Sequence, residues 1–213
     1  MKKEKFNYVI VTLDGVLFNT YSILHQKILE LLIQNNLEAR DSFFEQYIDG
    51  GYQQKERAFI HNAKYIALKE QIEQLAIDTL YEVEFNNEFQ YFYEWLTKNN
   101  LKLFLLTSLH KNQASILLNK LPANIDYQDI IFGNEVVEGK SDEYIYTKLM
   151  KKHNLANEQV LAIETSLNGV LASHQAFISN IFVELYTLRT LRHQKYSLLQ
   201  VPNLKQLIEC LEV

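Results

Sequence analysis

The sequence is short of the residues that break helices and of those that cross-link chains. Its 213 residues include six glycines, two prolines and a single cysteine, Cys210. The scarcity of glycine and proline favours long helices and argues against an all-β fold with many tight turns. One cysteine excludes an internal disulfide and suits a reducing, cytoplasmic compartment, and we expect its thiol to be buried in a helix.

Long apolar runs and basic clusters are also lacking. No apolar stretch approaches the roughly 20 residues that a membrane span needs, and the short run after the basic N-terminal residues predicts a strand, not a signal peptide. The net charge is −5 and no basic stripe with interleaved aromatic residues occurs. The six histidines are scattered without the spacing of zinc ligands. We therefore expect neither a membrane, nor nucleic acid, nor zinc as a partner.

What is present indicates a globular α/β protein. The hydrophobic content of 47% is that of an ordinary protein with a full core. Residues 20–82 show helical periodicity without a strand signal, whereas strands and helices alternate from residue 101 onward. Such alternation predicts a parallel sheet with helices on both faces, and its strand C-termini then share one edge. We predict five strands, at residues 9–11, 101–106, 129–132, 160–163 and 181–185.

The stretch from Val9 to Thr20, VIVTLDGVLFNT, is an apolar run that Asp14 and Gly15 interrupt. By itself this pattern is equally typical of a plain hairpin or a strand-to-helix turn. It resembles the first motif of the haloacid dehalogenase (HAD) superfamily, an apolar strand followed by D-x-D-G-[TV]-[LV]-x-[DN]-[ST]. At the position of the family's nucleophilic aspartate, this chain has Thr12.

Two further segments resemble the second and third motifs of that family. The run LKLFLLTS ends on Thr107 and Ser108, and the family's second motif uses this hydroxyl and a neighbouring N–H to hold the transferring phosphoryl group. Without the resemblance, these two residues would be read as a helix N-cap. Lys140, in the sequence GKSD, resembles the lysine of the third motif, usually G-K-P, which neutralises phosphate and carboxylate charge. An isolated lysine is otherwise a surface residue.

Residues 160–176, VLAIETSLNGVLASHQA, resemble the fourth motif, an apolar strand followed by E-D-S-x-x-G-[VI]-x-A. Glu164, Ser166 and Gly169 match that pattern, but Thr165 stands where the family has an aspartate. The four motifs together cover essentially the whole chain, and their spacing is closest to the capped phosphoglycolate phosphatase and β-phosphoglucomutase branch.

The resemblance implies an HAD-like Rossmannoid fold, an α/β parallel-sheet core with an inserted helical (C1-type) cap. The core would comprise residues 1–17 and 84–213, and the cap residues 18–83. The polar, glycine-broken stretch at residues 49–57 would face the site, so that Arg57 or Lys55 would meet an anionic substrate. A solvated helix start is the alternative reading of those charges.

The resemblance also assigns roles to single positions. Asp14 takes the place of the general acid and base, Lys140 that of the charge-neutralising group, and Glu164 that of a Mg²⁺ ligand, together with the backbone carbonyl of Asp14. Thr12 is neutral at pH 7 and needs a base before it can attack, and Thr165 is a poor ligand for an ion that prefers charged oxygens. We therefore expect Mg²⁺ to bind weakly or not at all.

Three hypotheses about function remain open at this point. The first is an HAD-fold pseudoenzyme that binds a small phosphorylated metabolite or a partner protein, with Thr107, Ser108, Lys140 and Arg57 as the contacts. The second is an altered phosphomonoester hydrolase or phosphomutase of the same family that uses water or Thr12. The third is a structural or interaction domain with no ligand at this site. Dependence of any turnover on a divalent metal separates the second hypothesis from the others.

Overall fold

A parallel sheet lies at the centre of the protein. The computed structural model describes residues 6–48, 54–135, 143–186 and 191–212. Within them the sheet has six strands in the order β3-β2-β1-β4-β5-β6, and each neighbouring pair is parallel. The strands are β1 (Tyr8–Thr12), β2 (Lys102–Leu106), β3 (Ile130–Ile131), β4 (Val160–Glu164), β5 (Ser179–Val183) and β6 (Leu199–Val201).

The central strand β1 is buried on both faces. Val9 and Val11 point into one apolar cluster, whereas Ile10 points into a second cluster on the opposite face. Strands β2 and β4 alternate in the same way, because successive side chains of a strand point to opposite faces. A slip of one residue would exchange the two faces, so this packing fixes the register that places the ends of these strands.

Helices connect the strands, and those that begin after residue 86 cover both faces of the sheet. They are α1 (Thr20–Gln34), α2 (Asp41–Tyr47), α3 (Gln54–His61), α4 (Lys69–Glu82), α5 (Asn87–Lys98), α6 (Lys111–Leu118), α7 (Tyr144–His153), α8 (Leu167–Gln175), α9 (Leu191–Tyr196) and α10 (Leu204–Glu212). None of the described helices is long and apolar enough to span a membrane.

Two details of the sequence-based prediction are wrong. We expected five strands, but β6 adds a sixth beside β5. It has only three residues and is followed at once by Pro202, so it is too short to show a periodic pattern. We also expected Cys210 to be buried, but its side chain is exposed, because α10 turns the face that carries Leu204 and Leu207 toward the core.

Helices α1 to α4 share an apolar cluster of their own. Phe43 is at its centre, and its ring contacts the rings of Phe44, Tyr47, Phe59 and Tyr65. No strand occurs among the described residues between Thr20 and Glu82. The division into a cap at residues 18–83 and a core remains a prediction.

Where the chain leaves the sheet for these helices and returns, the two passing segments are bonded to each other. The backbone N–H of Asn86 donates to the carbonyl of Leu17 at 2.8 Å, and its side-chain amide donates to the carbonyl of Val16 at 3.0 Å. Phe18 pairs with Phe85 next to this point. A further link comes from the ammonium of Lys120, which donates to the carbonyls of Leu80, Tyr81 and Val83 at the end of α4.

Because His193 is buried, stability should depend on pH. Its ring centroid lies 4.1 Å from that of Phe182, and only 1% of the residue is exposed. Burial lowers the pKa of the His193 imidazole, the charge of Arg192 lowers it further, and Glu184 opposes both. Since the unfolded chain binds the proton more tightly, the contribution of His193 to the free energy of unfolding should be fully present above about pH 6.5 and be lost as the pH falls through its lower folded-state pKa.

This prediction is checked by urea unfolding between pH 5 and 8. His193→Gln should remove this contribution and so make the free energy of unfolding fall less, or rise more, as the pH is lowered, because the titrating group is then absent from both states. The matched variant His61→Gln changes an exposed histidine and should keep the slope of the unmodified protein. Equal slopes in the His193 variant and the unmodified protein would contradict the assignment.

Candidate functional site

Three of the predicted site positions, Thr12, Thr107 and Glu164, lie at the C-terminal edge of the sheet. Strand β1 lies between β2 and β4, and Thr12 at its end is in register with Leu106 of β2. Thr107 follows β2 directly, and Glu164 is the last residue of β4. The positions predicted from the sequence at the ends of neighbouring strands are therefore confirmed, whereas the chemical roles remain predictions.

A tight turn after β1 holds Asp14 in place. The N–H of Gly15 donates to the carbonyl of Phe18 at 2.7 Å, and the N–H of Phe18 donates to the carbonyl of Leu13 at 3.2 Å. Gly15 has a φ of +97°, which favours glycine. The turn directs the Asp14 side chain into the protein, where only 2% of the residue is exposed.

The Asp14 carboxylate accepts hydrogen bonds on both oxygens. The hydroxyl of Thr107 donates to Oδ1 at 2.7 Å, and the hydroxyls of Ser108 and Tyr21 approach Oδ2 at 3.3 Å and 3.4 Å. Donors at such a carboxylate replace the water that burial removes. Asp14 thereby links the turn after β1 to the end of β2 and to helix α1.

Glu164 has a different environment. Only 4% of the residue is exposed, and its Oε1 accepts a hydrogen bond from the hydroxyl of Tyr146 on α7. Burial, with a smaller effect of the negative charge of Asp14, raises the pKa of Glu164 to about 7, against the lowering effect of the Tyr146 and Thr12 hydroxyls. At neutral pH a large fraction of this carboxyl group is consequently protonated.

The two threonines contribute hydroxyl groups that are shielded from solvent. The Thr12 hydroxyl meets the Glu164 carboxyl group only in poor alignment, and Thr165 Oγ1 has no hydrogen-bond partner among the described residues. Thr165 is completely buried, and its hydroxyl lies against the backbone of Gly15. A buried hydroxyl without a partner costs free energy, so these two positions are places where a water molecule or a ligand atom would be favourable.

The cations of the predicted site are distributed unevenly. Arg57 lies exposed on α3, whereas Lys55, two residues earlier, is partly buried. Burial lowers the pKa of the Lys55 ammonium and the negative charge of Asp14 opposes this, so that the two charged groups interact. Lys140 lies outside the described residues, as do the other residues of the third motif and residues 49–53.

A divalent metal does not fit the described side chains. Mg²⁺ needs oxygen ligands in octahedral geometry, usually including charged carboxylates. Here Thr12 and Thr165 are neutral, and the two oxygens of Glu164 face the Tyr146 hydroxyl and the α-carbon of Gly169. The described residues contain no cluster of three or more His, Cys, Asp or Glu side chains suited to a metal ion.

Sequence reasoning missed two residues of this site, Tyr21 and Tyr146. Both are buried aromatic residues on helices, and the helical pattern accounts for their rings as core. The pattern contains no signal for the partner of a phenol hydroxyl, which is here a carboxylate from a distant part of the chain. The sequence pattern does not distinguish Lys55 from Arg57 as a contact to an anionic substrate. In the structure the lysine is partly buried and the arginine is exposed.

Solved structures share this fold. A hydrolase from Pseudomonas syringae superposes with a TM-score of 0.77 at 18% identity, over 97% of this chain and 98% of that chain. A predicted phosphoglycolate phosphatase from Haemophilus somnus gives 0.73 at 17% identity, over 99% of both chains. A β-phosphoglucomutase from Clostridium difficile gives 0.72 at 18% identity, over 95% and 93% of the two chains. At such identities the likeness concerns the fold.

Sequence comparison adds the family. A phosphorylated carbohydrates phosphatase from Thermotoga maritima is 30% identical over 95 residues, which are 45% of this chain and 44% of that protein. The match thus spans less than half of the length of this relative. The family model described as haloacid dehalogenase-like hydrolase matches residues 9–183, from the first residue of the apolar run in β1 to the end of β5. The chain belongs to the haloacid dehalogenase-like hydrolase family.

Proposed function

We propose that this chain is a non-catalytic member of its family, which has lost Mg²⁺-dependent phosphatase activity and binds a small phosphorylated molecule without a metal. The observation that carries the proposal is the combination of a neutral Thr12 at the nucleophile position with an Asp14 whose oxygens are both engaged. The proposal concerns what this site does, whereas membership of the hydrolase family stands independently of it.

The contacts of Asp14 argue against a threonine nucleophile. Threonine attacks only when a base removes its proton. The carboxyl group that the Thr12 hydroxyl meets is Glu164, which is partly protonated at neutral pH and already accepts from Tyr146, and Oδ1 of Asp14 is occupied by Thr107. A water molecule would also need activation before it could attack phosphorus. The described residues contain no metal site that would lower the pKa of a bound water molecule.

The surroundings of Asp14 support binding of an oxyanion. Lys55 brings a positive charge from α3 toward Asp14, and an ammonium in a partly buried position favours a phosphate group. The contacts of Ser108 and Tyr21 to Asp14, at 3.3 Å and 3.4 Å, are the longest in the cluster. A bound anion would exchange these two contacts while the 2.7 Å bond from Thr107 remains.

Turnover tests the proposed loss of catalysis. The unmodified protein should hydrolyse no member of a panel of sugar phosphates and other phosphomonoesters above the buffer rate, with or without millimolar Mg²⁺, because it lacks the nucleophile and a charged metal site. Released phosphate is the readout. Hydrolysis that requires Mg²⁺ and disappears both in Asp14→Asn and after chelation would contradict the proposal.

Stabilisation by phosphate tests the proposed binding of an oxyanion. In the presence of a chelator, inorganic phosphate at ten times its dissociation constant should stabilise the fold by about 1.4 kcal/mol. For a chain of this size the thermal midpoint then rises by roughly 3–6 °C. Lys55→Met should abolish the rise, since it removes the cation that faces the site.

The control variant for this experiment is Lys64→Met, which removes an exposed lysine in the same group of helices. It should keep the full response to phosphate, and chloride at equal ionic strength should give none. A rise that survives Lys55→Met, or no rise at any phosphate concentration, would mean that the site binds no oxyanion through Lys55.

A further inference from the structure

The two acidic side chains of the site each have a phenol as hydrogen-bond donor. Tyr21, on α1, approaches Oδ2 of Asp14 at 3.4 Å, and Tyr146, on α7, donates to Oε1 of Glu164. The two phenols also interact electrostatically. Burial and Glu164 raise the pKa of Tyr146, and the negative charge of a deprotonated Tyr21 would raise it further. The four groups form one cluster, which we call the phenol cluster: Tyr21, Asp14, Tyr146 and Glu164.

The second oxygen of Glu164 is enclosed as well. A methyl group built on Gly169 would lie 1.9 Å from Oε2, so this oxygen lies against the α-carbon of Gly169 near the start of α8. Oε1 accepts from Tyr146 on the other side. The Glu164 carboxyl group is therefore held between α7 and α8, and its two oxygens have neighbours other than an ion.

The ring of Tyr21 fills the space between the ends of β1 and β4. A methyl group on Gly15 would be 2.8 Å from Cε2 of Tyr21 and 2.5 Å from Oγ1 of Thr165. The ring thus packs on the turn that carries Asp14, beside the hydroxyl of Thr165. By the family resemblance, Asp14 and the position of Thr165 are the two sides of the metal site.

We propose that Tyr146 and Tyr21 exclude Mg²⁺ from the site, because the Tyr146 hydroxyl and Gly169 enclose the Glu164 carboxyl group and the Tyr21 ring occupies the space beside Thr165. This inference rests on the proposed loss of metal-dependent catalysis and adds the residues responsible. Mg²⁺ needs an open approach to each oxygen ligand at about 2.0–2.1 Å, and a hydrogen bond alone leaves a carboxylate oxygen with a further lone pair for the ion. Here the approach itself is obstructed, by the Tyr146 hydroxyl at Oε1 and by the α-carbon of Gly169 at Oε2. The two threonine substitutions and the two phenols then act together against metal binding.

The alternative is that both tyrosines are ordinary core residues whose hydroxyls use the nearest acceptors. Both accounts predict that removing a hydroxyl changes stability, so stability does not distinguish them. Metal affinity does, provided that the carboxylates are first restored. The suitable background is the double variant Thr12→Asp/Thr165→Asp, in which a third and a fourth carboxylate stand at the site.

The experiment is calorimetric titration of Mg²⁺ into that background with and without Tyr146→Phe. Loss of the phenol hydroxyl should tighten Mg²⁺ binding by about tenfold or more, the equivalent of about 1.4 kcal/mol. Tyr91→Phe, which removes an exposed phenol hydroxyl on α5, is the matched control and should leave the affinity unchanged. Unchanged affinity with Tyr146→Phe in a folded protein would overturn the inference.

A second variant keeps the test decisive if Tyr146→Phe does not fold. Tyr21→Leu in the same background removes the ring that packs on Gly15 beside Thr165, so it should also tighten Mg²⁺ binding. No gain from Tyr21→Leu would then overturn the inference. An unchanged Mg²⁺ affinity in these variants would overturn only the role of the two tyrosines. The proposed function would instead be overturned by Mg²⁺-dependent hydrolysis by the unmodified protein, which contains both phenols.

Discussion

The hydrogen bond from Thr107 to Asp14, 2.7 Å long and almost completely buried, is the contact on which the site depends. It joins the turn after β1 to the end of β2 across 93 residues of sequence. A buried carboxylate is costly unless donors surround it. Asp14 also accepts a hydrogen bond from Tyr21 on α1 and interacts with the charge of Lys55 on α3. The same carboxylate therefore connects these two helices to the edge of the sheet.

The charge balance of the site explains how the fold persists with such a donor set. An aspartate at either threonine position would add a negative charge next to Asp14 and Glu164, and a bound cation would be needed to offset the repulsion. With Thr12 and Thr165 at these positions, the site carries less negative charge. Glu164, with its pKa raised to about 7 by burial, reduces it further by holding a proton, and Tyr146 supplies the hydrogen bond.

Much of this arrangement could be predicted from the sequence, because strand ends in a parallel sheet are determined by short apolar runs and by the breaks that follow them. The pair Asp14-Gly15 and the ends of β2 and β4 are examples. Strand β6 escaped prediction since three residues carry no periodicity. The contacts of Tyr146 escaped it for a different reason: helical periodicity shows that its ring is buried, but its hydroxyl meets an acid 18 residues away that only folding brings close.

The most direct test of the account is whether the unmodified protein holds a divalent cation at all. Mn²⁺ shares the oxygen ligands of Mg²⁺, and the EPR signal of the free ion disappears when it is bound. Titrated into concentrated protein, Mn²⁺ should give its full free signal from the first addition, as it does in buffer. Silent binding of one equivalent that is lost in Glu164→Gln would contradict the account, because it would mean that these residues still form a metal site.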